Sequence, residues 1–121
     1  MKIFKTGKFK RMKDPTLPGK AATRVLTGQD NAVDLEGSFV VFPPIRYGKY
    51  HYHKNRECIF IILKGKASMK IDDIDYPIEA GDIIFLSRGE KHTITNESGK
   101  EFRFIEFYTN PPHDADWEKV K

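Results

Sequence analysis

The 121-residue chain holds one cysteine, one tryptophan and four histidines, and most of these scarcities exclude something. A lone Cys58 cannot build an intrachain disulfide framework and lends no support to secretion, so a reducing cytoplasm is the expected setting. No stretch approaches the roughly 18 consecutive apolar residues of a membrane span. Met1-Lys2-Ile3-Phe4-Lys5 starts with charge but has no apolar run behind it, so no secretory signal is expected. A helical period is also missing: no window of about 11 residues repeats its apolar positions at helical spacing. The length itself predicts one domain with a real core.

Excess charge of one sign is confined to one end. The chain carries a formal +4, which invites a nucleic-acid reading. Residues 1–18 hold Lys2, Lys5, Lys8, Lys10, Arg11 and Lys13 against Asp14 alone, so the remaining residues sum to −1. A nucleic-acid domain carries its cations on the folded face that meets phosphates. Here they belong to a basic N-terminal arm over residues 1–18, read as a solvated or strand-forming segment, and nucleic acid is not the expected partner. Pro15-Thr16-Leu17-Pro18-Gly19 separates the arm from the body.

What the sequence does have is short apolar runs punctuated by Gly, Pro, Asn and Asp. Nine runs read as strands: Ala22–Thr27, Ser38–Phe42, Arg46–His53, Glu57–Leu63, Lys66–Ile71, Ile74–Ile78, Asp82–Leu86, Lys91–Asn96 and Phe102–Thr109. Many short strands with turn residues between them predict an all-β barrel or sandwich over residues 19–109. Nine Phe and five Tyr suit its packed faces. Asn110-Pro111-Pro112 ends the last strand and opens a polar tail over 110–121, in which Trp117 is expected to pin the chain to the surface.

The run Glu57–Leu63 is apolar on both faces, Glu57, Ile59, Ile61 and Leu63 on one and Cys58, Phe60 and Ile62 on the other. A strand with one wet face alternates apolar with polar, so both of its faces are expected to be covered. One would meet the interior and the other the arm or a second subunit, which predicts a homodimer. Cys58 reads as a small buried hydrophobe, with a reactive thiol as its rival.

Three of the four histidines fall into one arrangement. His51 and His53 stand one residue apart in a strand and leave the same face, with Cα atoms roughly 6.5–7 Å apart. Glu57 follows after Lys54-Asn55-Arg56, and His92 opens a later strand behind the turn Ser87-Arg88-Gly89-Glu90. Imidazoles and a carboxylate inside an apolar barrel are costly unless paired. A divalent cation resolves that cost, and mutual hydrogen bonding is the alternative. Three nitrogens and a carboxylate suit iron, manganese, nickel, copper or cobalt, with zinc possible.

His51-Tyr52-His53, Glu57 and Gly65, then Gly81, Gly89, His92 and Asn96, together resemble the two motifs of the cupin family. Ile45 stands where that pattern has a leading Gly, Gly65 comes one residue late, and Ser87 replaces a Pro. The resemblance implies a single jelly-roll barrel, a double-stranded β-helix with a short N-terminal arm. It also implies one divalent transition metal per chain, held by His51, His53, Glu57 and His92. Asn96 is expected to organise the strand end, and His113 to be a solvated residue of the tail.

Alternation adds further candidates. Tyr47 and Lys49 share a face with His51 and His53, where they would hold an anionic or hydroxylated substrate, or else snorkel from the rim. Glu106 shares a face with Phe102, Phe104 and Tyr108; pointing inward it would be a general base, pointing outward a solvated carboxylate. The expected function is a metal-dependent enzyme on a small, oxygen-rich molecule, with dioxygenase-like chemistry slightly preferred on family resemblance. Isomerase, epimerase, decarboxylase or lyase chemistry, or ligand binding without catalysis, are the alternatives. The expected partners are a small molecule and a second copy of the chain, with no membrane.

Overall fold

Alternation of apolar residues becomes strand almost everywhere the punctuation allows. The computed structural model describes residues 1–6, 12–13, 21–110 and 116–121. Its strands are β1 (Met12–Lys13), β2 (Ala21–Arg24), β3 (Leu35–Phe42), β4 (Arg46–Tyr47), β5 (His51–Tyr52), β6 (Cys58–Lys64), β7 (Lys66–Ile71), β8 (Ile74–Glu79), β9 (Ile83–Leu86), β10 (His92–Asn96), β11 (Phe102–Thr109) and β12 (Glu118–Lys119). They form two antiparallel sheets. One runs β1-β2-β3-β11-β6-β9; the other runs β12-β5-β10-β7-β8, with β4 also on β10. Among the described residues no helix is long and apolar enough to cross a membrane.

The inner faces of the two sheets enclose the core. Val40 and Phe42 of β3, Cys58, Phe60 and Ile62 of β6, Met69 of β7, and Phe102, Phe104 and Tyr108 of β11 are all buried. Phe42 and Phe104 meet edge to face at 5.4 Å, a geometry that adds about 0.5–1.5 kcal/mol beyond area burial. A smaller cluster lies on the outer face of the first sheet, where Val25, Phe39 and Val41 pack with Phe4, Ile105 and Phe107.

Two expectations need correction. The run Arg46–His53 is not one strand but two short ones, because the chain leaves the ladder between Tyr47 and His51. The reason is a close approach. A Cβ at Gly48 would stand 2.6 Å from Thr93 Oγ1 and 2.8 Å from the Ile94 carbonyl, so only glycine lets the segment press on β10. The run Ala22–Thr27 stops at Arg24, and Thr27 instead caps the 3-10 turn Gly28–Asp30. On the outer face of β6, Ile59 and Leu63 are 42% exposed within the described residues of one chain, and the N-terminal Phe4 packs on the cluster of Val25, Phe39 and Val41. Most of the arm, the Pro15–Gly19 separator, Pro111-Pro112 and His113 lie outside the described residues.

Candidate metal centre

His51 sits in β5 and His92 opens β10, directly opposite each other in register. His53 follows β5 by one residue. The rings gather at centroid separations of 4.3 Å for His51–His92, 5.0 Å for His51–His53 and 5.2 Å for His53–His92. One ring nitrogen from each lies within 4.8 Å of the others. His53 and His92 are buried, and the Phe60 ring walls the group at 6.2 Å from His92.

The Nδ1 atoms decide what this cluster can do. His51 Nδ1 lies 2.6 Å from the Lys49 carbonyl and His92 Nδ1 2.9 Å from the Glu90 carbonyl; His53 Nδ1 bonds the Asp116 carbonyl. A carbonyl oxygen only accepts, so each Nδ1 must carry a proton, and a ring that is neutral then keeps its lone pair on Nε2. Burial lowers the pKa of His53, against the opposing hydrogen bond to Asp116, and burial likewise lowers that of His92. Both rings are therefore neutral near pH 7. Neutral rings with Nδ1 anchored on carbonyls are the state in which histidine binds a metal through Nε2.

The other expected site residues are distributed differently. Glu57 does not join the histidines. Because Cys58, Phe60 and Ile62 take the inward face, Glu57 falls on the opposite side, with its carboxylate 4.0 Å from Arg88. Its backbone N–H is held by Thr109 Oγ1 at 3.0 Å. For the same reason the apolar wall beside the histidines is Phe60, not Ile59 and Ile61. Tyr47 is 64% exposed and Lys49 is exposed, since the break at Gly48 shifts the alternation. Lys49 serves the site through its backbone carbonyl alone. Glu106 does point inward: the Cys58 thiol donates to its carboxylate, and its charge reaches both His53 and His92. Cys58 is buried, and burial pushes its thiol pKa up, which removes the reactive-thiolate reading. Asn96 organises its strand end, its amide donating to Pro43 and Lys100 carbonyls at 2.8 Å each.

Residues 38–108 match the family described as Cupin domain. The chain belongs to the cupin family. A curated relative, the oxalate-binding protein of Thermotoga maritima, is 33% identical over 63 residues, 52% of this chain. The chain matches about half the length of that relative, 52% of it. Among solved structures, the polyketide cyclase RemF of Streptomyces resistomycificus superposes with a TM-score of 0.83 at 20% identity, covering 100% of this cupin and 86% of RemF. KdgF from Halomonas sp. gives 0.81 at 16% identity, covering 94% and 97%. A predicted oxalate decarboxylase of Thermotoga maritima gives 0.78 at 21% identity, covering 91% and 100%. At these identities the likeness is one of fold.

The site of this cupin has members that the sequence reading missed. Trp117 stacks on His51 with centroids 5.1 Å apart and planes 22° from parallel. Arg56 is buried with its guanidinium 4.4 Å over the Tyr108 ring. Its inward direction follows from strand parity with Cys58, which the late Gly65 signals: the spacing fits Cys58, not Glu57, in the inward register.

Proposed function

We propose that this cupin holds one divalent transition metal through His51, His53 and His92 and acts as a metal-dependent enzyme on a small, oxygen-rich molecule. The observation that carries this reading is that one ring nitrogen from each of the three histidines lies within 4.8 Å of the others, while every Nδ1 faces a backbone carbonyl. Imidazole donors suit iron, manganese, nickel, copper, cobalt or zinc. They bring no negative charge, so the ligand that completes the site is an oxygen anion such as a carboxylate or enediolate. When bound, the metal would polarise such an oxygen and, if redox-active, support oxygen chemistry. Three protein ligands on an octahedral ion leave room for a chelating substrate together with a co-substrate. That supports oxygenase chemistry ahead of isomerisation, epimerisation, decarboxylation or elimination.

The protein's own contributions follow from its inward residues. Glu106, pointing in from β11, is the group that can take a proton from a bound substrate. Phe60 keeps water off one side of the triad. Elemental analysis of protein purified without added metal is expected to find about one transition metal per chain. Oxygen uptake by the iron-loaded protein over diketones, thiols and catechols separates oxygenase from Lewis-acid use. Failure to bind Fe(II), Ni(II) or Mn(II) would overturn the metal reading. Binding without turnover is the second reading, favoured by the name of the oxalate-binding relative; a saturable oxalate isotherm with no product would select it.

The same proposal includes a homodimer. On the outer face of β6 and β9, Ile59 pairs with Phe85 and Ile61 with Ile83. Ile59, Leu63, Ile83 and Phe85 are 42%, 42%, 69% and 56% exposed. A contiguous apolar stripe of this kind marks an interaction surface, and a second copy presenting the same stripe is the occupant proposed. A buried single cysteine fits a reducing cytoplasm.

A further inference from the structure

Two of the three Nδ1 acceptors are local. Lys49 serves His51 and Glu90 serves His92, each two residues away in sequence. The third is not: the acceptor for His53 is the backbone carbonyl of Asp116, 63 residues on. The segment that brings it there is fastened at several independent points. The Asp116 carboxylate accepts from the backbone N–H of Lys54 at 2.8 Å and of Asn55 at 2.7 Å, closing the turn that follows His53. Trp117 stacks on His51. Glu118 and Lys119 pair with Tyr52 and His51 as β12 on β5, and the Val120 N–H donates to the Tyr50 carbonyl at 3.1 Å. Every one of these contacts falls on a ligand histidine or within two residues of one.

We infer that residues 116–120 form a strap that sets the ring state of His53, so that docking of the strap and metal binding at the triad are coupled. Its Asp116 is a positioning residue that acts through His53. The coupling rests on the metal reading above, whereas the hold on the His53 tautomer does not. The physical reason is specific to His53. A neutral imidazole with no fixed partner populates both tautomers, and a proton on Nε2 blocks the lone pair a cation needs. With the strap in place only the Nδ1–H form satisfies both the ring and the Asp116 carbonyl. Loss of an outer hydrogen-bond partner of this kind lowers metal affinity about 10–100-fold. Coupling between two binding events is reciprocal, so the cation must also tighten the strap.

The test compares the full chain with a variant lacking residues 116–121 and with Asp116→Ala. Ring 15N spectra of the metal-free proteins near neutral pH come first. His53 is expected as the Nδ1–H tautomer in the full chain and as a mixture in the deletion. His92, with its local acceptor, should stay Nδ1–H in both and so report that the barrel is still folded. If the deletion does not fold, Asp116→Ala, which keeps the carbonyl but loses the carboxylate that fastens it to the Lys54 and Asn55 N–H groups, is expected to shift His53 part-way toward the mixture, and Asp116→Asn, which keeps one acceptor, to shift it less. Titration with Co(II) follows, read by quenching of Trp117, the only tryptophan in the chain, and by calorimetry for the deletion. The expected loss of affinity is about 10–100-fold, with Co(II) slowing exchange of the Val120 amide in the full chain by the same factor. A His53 that keeps a single tautomer without the strap, or equal Co(II) affinity in full chain and deletion, overturns the inference. A full chain that shows the expected tautomers but binds no Co(II) overturns the metal reading and the coupling while leaving the strap's hold on His53 in place.

Discussion

The backbone N–H of Gly89 donates to the His53 carbonyl at 2.7 Å, and this bond ties the turn before His92 to the residue that follows β5. Gly89 has φ of +82°, with open space where a Cβ would stand, so a substitution there is opposed by backbone strain and not by crowding. Gly89→Ala is expected to destabilise the fold by about 1–2 kcal/mol, read as a lower urea midpoint at unchanged slope. Gly89→Asn should cost less, because Asn visits the left-handed region more readily. Equal midpoints for both variants and the parent would show that the turn relaxes without this geometry.

Ligand substitutions should separate the triad from its expected fourth member. His53→Ala and His92→Ala are expected to weaken metal binding beyond the roughly 100-fold ceiling typical of outer partners. Glu57→Gln should leave both stoichiometry and affinity unchanged, because its carboxylate faces Arg88. Calorimetric titration with Ni(II) distinguishes these outcomes. A large loss in Glu57→Gln would mean that the β6 entry rotates on metal binding.

Acid should weaken the metal-free fold in a defined window. His53 and His92 have pKa values lowered from the usual 6.5, mainly by burial. Between those lowered values and 6.5 the unfolded chain binds more protons than the native one, so stability rises with pH there and is level above it. The lowered carboxyls of Asp30 and Asp116 act only below their usual 3.8, outside this window. Urea midpoints of the metal-free protein should be higher at about pH 7.5 than at about pH 5.5. His92→Gln should flatten the difference, and an unchanged slope in that variant would remove His92 as its source.

Much of this architecture was legible in the sequence because each strand carries its own alternation. Phe102–Thr109 and Lys66–Ile71 appear with the bounds their patterns give. The triad was legible for the same reason, since His51 and His53 share a face by spacing alone. What failed did so where one residue of register decides the outcome. Glu57 and Cys58 are adjacent, and a single step exchanges inward for outward. Tyr47 and Lys49 take the exposed one of their two expected positions because the break at Gly48 interrupts the alternation, and its cause, the contact with Thr93, lies on another strand. The Asp116–His53 bond had no local signal at all: a backbone carbonyl leaves no trace in a side-chain pattern.

Glu106 should matter for turnover far more than for folding. It points inward from β11, where the Cys58 thiol donates to it, and Gln in its place keeps size and an acceptor oxygen. Glu106→Gln is expected to lower kcat by about 10²–10⁴-fold, with KM and metal affinity little changed. Cys58→Ser keeps a hydroxyl donor to the carboxylate and should retain most of the activity. A Glu106→Gln enzyme with a full rate would leave Glu106 as a charge that only tunes the nearby rings.

The apolar stripe on β6 and β9 gives the oligomer a mutational test. Phe85 and Ile83 are the most exposed of its large side chains and lie on an edge strand of the first sheet, so a charge there leaves the buried core untouched. Phe85→Glu and Ile83→Glu are each expected to convert a dimer to a monomer in sedimentation velocity. The cross-strand neighbours of these positions are Ile59 and Ile61. A carboxylate buried against these apolar side chains in the assembly would lose its hydration, a cost that only pairing with an opposite charge would offset. The monomer should keep its triad and bind metal, because His51 and His92 belong to the second sheet, across the core from the outer face of β6 and β9. A parent chain that sediments as a monomer at tens of micromolar, or a Glu variant that remains dimeric, would move the interface elsewhere. In the first case the stripe would be left as an exposed edge, the kind of surface that promotes aggregation, and Phe85→Glu should then raise solubility with no change in mass.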